Sequence, residues 1–189
     1  MYKKTKTISK VLTAETNIQD LLEGSVANKR KAQEALFRHF YGFAMTVALR
    51  YSRDEMDAAD IVSHAFVKIF KSLHTYDKTK GSLHAWIKKI TVNEGLDHIK
   101  SRSRFSENVE LETVPEPEIK NTVLEQMGAS EIMELVKKLP PATHAVFVLY
   151  AVEGFNHREI AERLSISEGT SKWHLSEARK TLQQLLQHY

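Results

Sequence analysis

The stretch from Ala58 to Leu73, AADIVSHAFVKIFKSL, carries apolar side chains at Ile61, Val62, Ala65, Phe66, Ile69, Phe70 and Leu73. Spacings of three and four residues put all seven on one stripe of an α-helix, which is a core-facing pattern. The same helical recurrence, rather than the alternation of a strand, runs through nearly every segment. Glycine and proline, which punctuate helices, number only 7 and 4 in 189 residues. The sequence therefore predicts an all-α protein.

One stretch breaks the pattern. Between Phe105 and Glu131 lie Glu107, Glu110, Glu112, Glu116, Glu118, Glu125 and Glu131 against the single Lys120, with Pro115 and Pro117 at the centre. Such a segment has little apolar area to bury and is stiffened by its prolines, so it reads as an acidic flexible linker over residues 105–130. It divides a helical domain at 18–104 from a second at 131–189, both of a size that can fold independently. Residues 1–17 are polar and basic, and a flexible N-terminus is expected there.

The balance of 27 Lys and Arg against 24 Asp and Glu gives a net charge of +3, too small to identify a nucleic-acid binder without a local concentration of charge. Cysteine is absent, which removes disulfides, thiolate metal sites and thiol nucleophiles and suits a reducing cytoplasm. The lysine-rich Met1–Lys10 stretch is not followed by a signal-peptide core, and no apolar run approaches membrane-spanning length. A cytoplasmic protein without direct membrane insertion is expected. Nine histidines, among them His64, His74, His84 and His98, raise the possibility of a metalloenzyme, but neither H-x-x-x-H nor H-E-x-x-H occurs. No catalytic residue, metal site or cofactor is expected.

After Leu139, Pro140 and Pro141 open a helix whose apolar residues Ala145, Val146, Val148, Leu149 and Val152 lead to Gly154. Asn156 can cap the next helix with Glu159 three residues on, and Ile160, Ala161 and Leu164 line its inner face. Ser165 and Ile166 make a turn, and Ser167 can cap a last helix from Glu168 to about Gln187. A support helix, a short helix, a tight turn and a longer helix make a helix-turn-helix, whose last helix enters the major groove by its N-terminal turns. Thr170, Lys172, Trp173, His174, Ser176 and Glu177 are the candidates for exposure there, with Arg179 and Lys180 placed to reach phosphates.

In the N-terminal domain, Asp60, Ser63, His64, Val67 and Lys71 fall opposite the apolar stripe. An exposed Val67 among polar neighbours suits a protein contact or is a tolerated surface valine. The next helical segment begins at Leu83 and runs past Asn93 to Lys100, Arg102 and Arg104, with five basic and two acidic residues between Ala85 and Arg104. It is either a solvated charged face or a basic surface where Asn93 can bond a base edge. Trp86 can stack on an unpaired base, although Ile87 and Ile90 beside it favour a place in the core.

Two sets of motifs resemble a known family. Glu159-Ile160-Ala161-Glu162-Arg163-Leu164, Ile166-Ser167-Glu168-Gly169-Thr170 and Ala178-Arg179 resemble region four of sigma factors, which reads the minus-thirty-five promoter element. That turn alone also resembles LuxR-type regulators. The stretches Leu22-Glu23-Gly24, Lys31 to Phe37, Leu49-Arg50-Tyr51-Ser52, Asp60-Ile61-Val62, Phe66 to Phe70, Ala85-Trp86-Ile87 and Ile90 to Asn93 resemble sigma region two. Both halves in this order, with a short linker, are similar to the extracytoplasmic function (ECF) subgroup of the sigma-70 family.

The resemblance implies a factor without catalytic activity that directs promoter-specific initiation by binding core RNA polymerase, at the clamp of the large subunit and at the flap, and promoter DNA. Asp60, Ser63, His64 and Val67 match the surface that docks on the clamp. Asn93 matches a position at the minus-ten element, with Lys100, Arg102 and Arg104 on the adjacent backbone, and Thr170, Lys172, Trp173, His174, Ser176 and Arg179 fall at the minus-thirty-five element. An anti-sigma factor is a further partner the resemblance admits, and a decoy or adaptor without promoter activity is the alternative. The chain departs from the family at Ser63-His64, where many relatives have Gln-Glu, at Ser171, where an apolar residue is common, and at Glu177, where arginine is frequent.

Overall fold

A computed structural model describes residues 18–102 and 128–186. The expected flexible N-terminus, most of the acidic linker and Arg104 lie outside the described residues, as does the side chain of Arg102. The described residues form eight α-helices and no strand.

In the N-terminal part, α1 (Ile18–Val26), α2 (Arg30–Ala48), α3 (Glu55–Ser72) and α4 (Leu83–Arg102) pack as a bundle. Asp54 caps α3 by accepting from the Asp57 N–H at 2.8 Å. The stripe expected for α3 faces the core: Ile61, Val62, Ala65, Phe66, Ile69 and Leu73 are buried, with Phe70 half-buried at its edge. Tyr51 sits beneath α4 so closely that a Cβ on Gly95 would come within 2.7 Å of its ring. Trp86 is half-buried against Tyr76, with ring centroids 5.7 Å apart, so the core placement of this residue is the one adopted.

The C-terminal part begins with α5 (Ala129–Val136), two residues ahead of the expected boundary and not anticipated as a helix. Pro141 occupies the first turn of α6 (Pro141–Phe147), where its missing N–H costs no hydrogen bond. The helix then widens at Val148–Val152 into a π turn, in which the Glu153 N–H reaches the Val148 carbonyl at 3.0 Å. Gly154, at φ +77°, ends it. The short α7 (His157–Leu164) opens with the expected reciprocal cap: Asn156 Oδ1 accepts from the Glu159 N–H at 3.0 Å, and the Glu159 carboxylate from the Asn156 N–H at 2.9 Å. Ser165 adopts the left-handed conformation (φ 58°, ψ 45°) that closes α7. Ser167 caps α8 (Glu168–Leu186) through the Thr170 N–H at 2.9 Å.

The two parts are not separate in space. Helix α4 packs on α6, and one cluster of buried apolar side chains runs through both. The long-range hydrogen bonds and ion pairs that cross this junction set the geometry of the candidate site.

Candidate nucleic-acid interface

The second helix of the helix-turn-helix is held on its scaffold by polar ties as well as by apolar burial. Leu175, Ala178 and Leu182 of α8 are buried. So are Thr170 and His174, against the expectation that both would be exposed. Thr170 turns inward to the Ser167 hydroxyl at 2.9 Å. His174 Nδ1 lies 3.0 Å from the Thr143 hydroxyl of the support helix. Burial holds the His174 imidazole below its ordinary value, favouring the neutral ring. Lys172 is exposed, and Trp173, Ser176 and Arg179 are partly exposed, which leaves these four of the expected readers on the surface of α8.

Ser171, where relatives commonly carry an apolar residue, is completely buried with its hydroxyl 2.9 Å from His157 Nδ1 at the start of α7. His157 in turn stacks on Tyr150, with centroids 4.8 Å apart. A hydrogen bond between the two helices of the motif thus replaces a packing contact. Glu177 is partly exposed on the same helix as the readers.

On α3, Asp60, Ser63, His64, Val67 and Lys71 are all exposed, and Val67 keeps 51% of its surface in water. His64 Nδ1 lies 3.8 Å from Glu94 of α4, whose carboxylate also pairs with Lys68 at 2.5 Å. The Glu94 bond, followed by that to Asp97, raises the Lys68 ammonium above its ordinary value.

Asn93 is on the outer surface of α4, at the rim of an open cleft of about 490 Å³ whose walls include Lys68, Ile90, Asp97, Lys100 and Arg163. Arg163, from α7 of the C-terminal part, donates to Asn93 Oδ1 at 3.3 Å while its guanidinium rests 4.1 Å from the Phe155 ring centroid. Lys100 donates to the Arg163 carbonyl at 2.7 Å. Two of the residues expected at the minus-ten element are therefore engaged by the C-terminal part itself.

A second tie also crosses this junction. Glu153, delivered by the π turn, has a side chain only 3% exposed and bridges two cations of the N-terminal part: Arg50 at 2.8 Å and Lys88 at 2.6 Å. His144 Nε2 lies 2.9 Å from the Arg50 carbonyl, and because a carbonyl only accepts, the proton is on Nε2. Burial pushes His144 below its ordinary value, more than the carbonyl bond restores. Burial, and then the Glu153 carboxylate, push the neighbouring Tyr51 phenol up. Sequence reasoning missed Arg50, Lys88, Glu153 and Arg163 as a group. The Arg50–Glu153 and Arg163–Asn93 pairings span 103 and 70 residues, and no local spacing signals them.

Among the described residues no cluster of His, Cys, Asp and Glu has metal-binding geometry. No helix among them is long and apolar enough to cross a membrane.

Comparison with known proteins supports the two-part reading. The model of sigma-70 region 2 matches residues 36–105, and that of sigma-70 region 4 matches residues 129–182. The chain is 26% identical over 149 residues to the ECF RNA polymerase sigma factor SigE of Mycolicibacterium smegmatis, covering 74% of this chain and 56% of that one. It is 21% identical to the RNA polymerase sigma-H factor of Pseudomonas aeruginosa, covering 94% and 97%. Among solved structures, the sigma factor RpoE of Bartonella quintana, in complex with the anti-sigma factor NepR, is similar with a TM-score of 0.49 and 20% identity, covering 82% of this chain and 96% of that one. With a region-2 match and a region-4 match in family order on an all-helical fold, the chain belongs to the sigma-70 family of RNA polymerase sigma factors, in its ECF group, a class of initiation factors and not of enzymes.

Proposed function

We propose that this chain binds core RNA polymerase in the cytoplasm and places it on promoters by contacting two DNA elements. Helix α8 enters the major groove at the minus-thirty-five element, where Lys172, Trp173, Ser176 and Arg179 meet bases and phosphates. Asn93 of α4 takes a base at the minus-ten element, with Lys100, Arg102 and Arg104 on the backbone. The α3 face of Asp60, Ser63, His64 and Val67 docks on the polymerase clamp, the C-terminal part meets the flap, and an anti-sigma factor competes for these surfaces.

The observation that carries the reading is the pairing, in one chain, of a capped helix-turn-helix with an N-terminal bundle whose α3 leaves Val67 exposed within a polar face. Assembly tests it. Mixed with purified core polymerase, the chain is expected to co-elute on gel filtration. Val67→Asp, which places a charge on the docking face without touching the core, is expected to abolish co-elution. A chain that never co-elutes with core polymerase contradicts the proposal.

A further inference from the structure

The Arg50–Lys88 pair is a built anion site. Two cations from different segments converge on the two oxygens of one carboxylate at 2.8 and 2.6 Å, and that carboxylate is almost fully removed from water. Glu153 is supplied by the C-terminal part, whereas Arg50 and Lys88 belong to the part read above as the minus-ten reader. Lys88 shares α4 with Asn93 and Lys100, and those two are also engaged by the C-terminal part, through Arg163. Four groups on the N-terminal part, Arg50, Lys88, Asn93 and Lys100, are therefore satisfied by its own partner half.

The geometry points to Arg50 and Lys88 as a phosphodiester-binding site that Glu153 occupies as an internal stand-in for the phosphate, so that domain closure and nucleic-acid binding compete for the same two cations. A carboxylate and a phosphodiester both present two anionic or partly anionic oxygens to paired N–H donors, so one can replace the other without rebuilding the site. Arg50 and Lys88 keep 29% and 39% of their side-chain surface exposed, which leaves them solvated when Glu153 departs. Tyr150, Ala151 and Val152 ahead of Glu153 are exposed, and the backbone bonds of this turn run to Val148 and Leu149 of its own helix, so Glu153 stays with the C-terminal part when the halves part. This inference rests on the sigma-factor reading for the identity of the nucleic acid but not for the site itself.

The chain has no cysteine, so Met56→Cys and Glu162→Cys, both exposed, allow a fluorescent donor and acceptor to be placed on the two halves of the full chain. Energy transfer reports closure, and a radiolabelled oligothymidylate reports phosphodiester binding. Glu153→Gln preserves shape and removes charge; it is expected to lower energy transfer and to tighten oligothymidylate binding by about fivefold or more. Arg50→Gln and Lys88→Gln are expected to lower energy transfer equally while weakening binding, each reducing the slope of log K against log salt by about 0.7.

That asymmetry is the test: breaking the same ion pairs from the carboxylate side strengthens binding, and from the cation side does not. Unchanged energy transfer in all three variants overturns the closure. Lower energy transfer with oligothymidylate binding unchanged in Glu153→Gln overturns the phosphodiester site. Should Glu153→Gln lose helix content on melting, the two cation variants decide alone, since retained binding in them overturns the site. Failure of the sigma-factor reading registers separately, as absence of co-elution with core polymerase while these binding effects persist.

Discussion

At the scale of single residues, Ser171 shows how a departure from a family pattern is absorbed. Its hydroxyl is buried against His157, so Ser171→Ala removes a hydrogen bond between the two helices of the motif and is expected to cost about 0.5–1.5 kcal/mol in urea unfolding. The buried histidines give a pH dependence. His144 and His174 are both held below 6.5 in the folded chain, so the unfolded chain takes up protons first as pH falls. Their contribution to stability is complete above about pH 6.5 and is lost as pH falls through that value toward the depressed folded ones. The melting temperature is expected to drop between pH 7.5 and pH 5, and His174→Gln should flatten that drop; an unchanged profile would contradict the burial account. Neither role was legible in the sequence. Thr170 and His174 lie eight residues ahead of Ala178 and Leu182, respectively, on the buried stripe of α8, and their polar side chains, which suggested exposure, are satisfied there by the Ser167 and Thr143 hydroxyls.

At the scale of elements, the sequence was most legible where local chemistry decides. The Asn156–Glu159 cap, the turn at Ser165 and the Ser167 cap each depend on neighbours within a few residues, and all three form as expected. Asn156→Ala is therefore expected to destabilise the chain by about 1 kcal/mol. Ser165→Gly, which relieves a left-handed conformation, is expected to stabilise it by about 0.5–1 kcal/mol, with paired thermal melts as the measurement. Helix α4 is the opposite case. Gly95 in mid-helix carries no sequence signal of its role, because the reason for it is Tyr51, 44 positions earlier in the chain. Gly95→Ala would raise intrinsic helix propensity, yet its Cβ meets a ring that is itself buried. A net loss of about 1–3 kcal/mol is expected, and a gain in stability would show that the close approach is not maintained.

At the scale of the whole molecule, the sequence pointed to two helical parts and the structure adds what joins them. The α3 stripe, the support helix and α8 follow from period and capping, which are short-range. The junction does not, because the Glu153 ion pairs and the Arg163–Asn93 bond are made between segments that only the assembled fold brings together. Their consequence is that Asn93 and Lys100, expected at the minus-ten element, are each hydrogen-bonded to Arg163 of the half expected at the minus-thirty-five element. Under the proposed function, use of Asn93 and Lys100 on DNA breaks these bonds, and docking through α3 and DNA binding through α8 would favour that opening. The most direct measurement of the central claim is transcription by purified core polymerase on a fragmented genomic library, with and without the chain, sequencing every start. A set of starts that needs the chain and shares two upstream elements at fixed spacing is predicted. A polymerase complex that forms but yields no chain-dependent start would contradict it, leaving a decoy that binds polymerase and does not direct it.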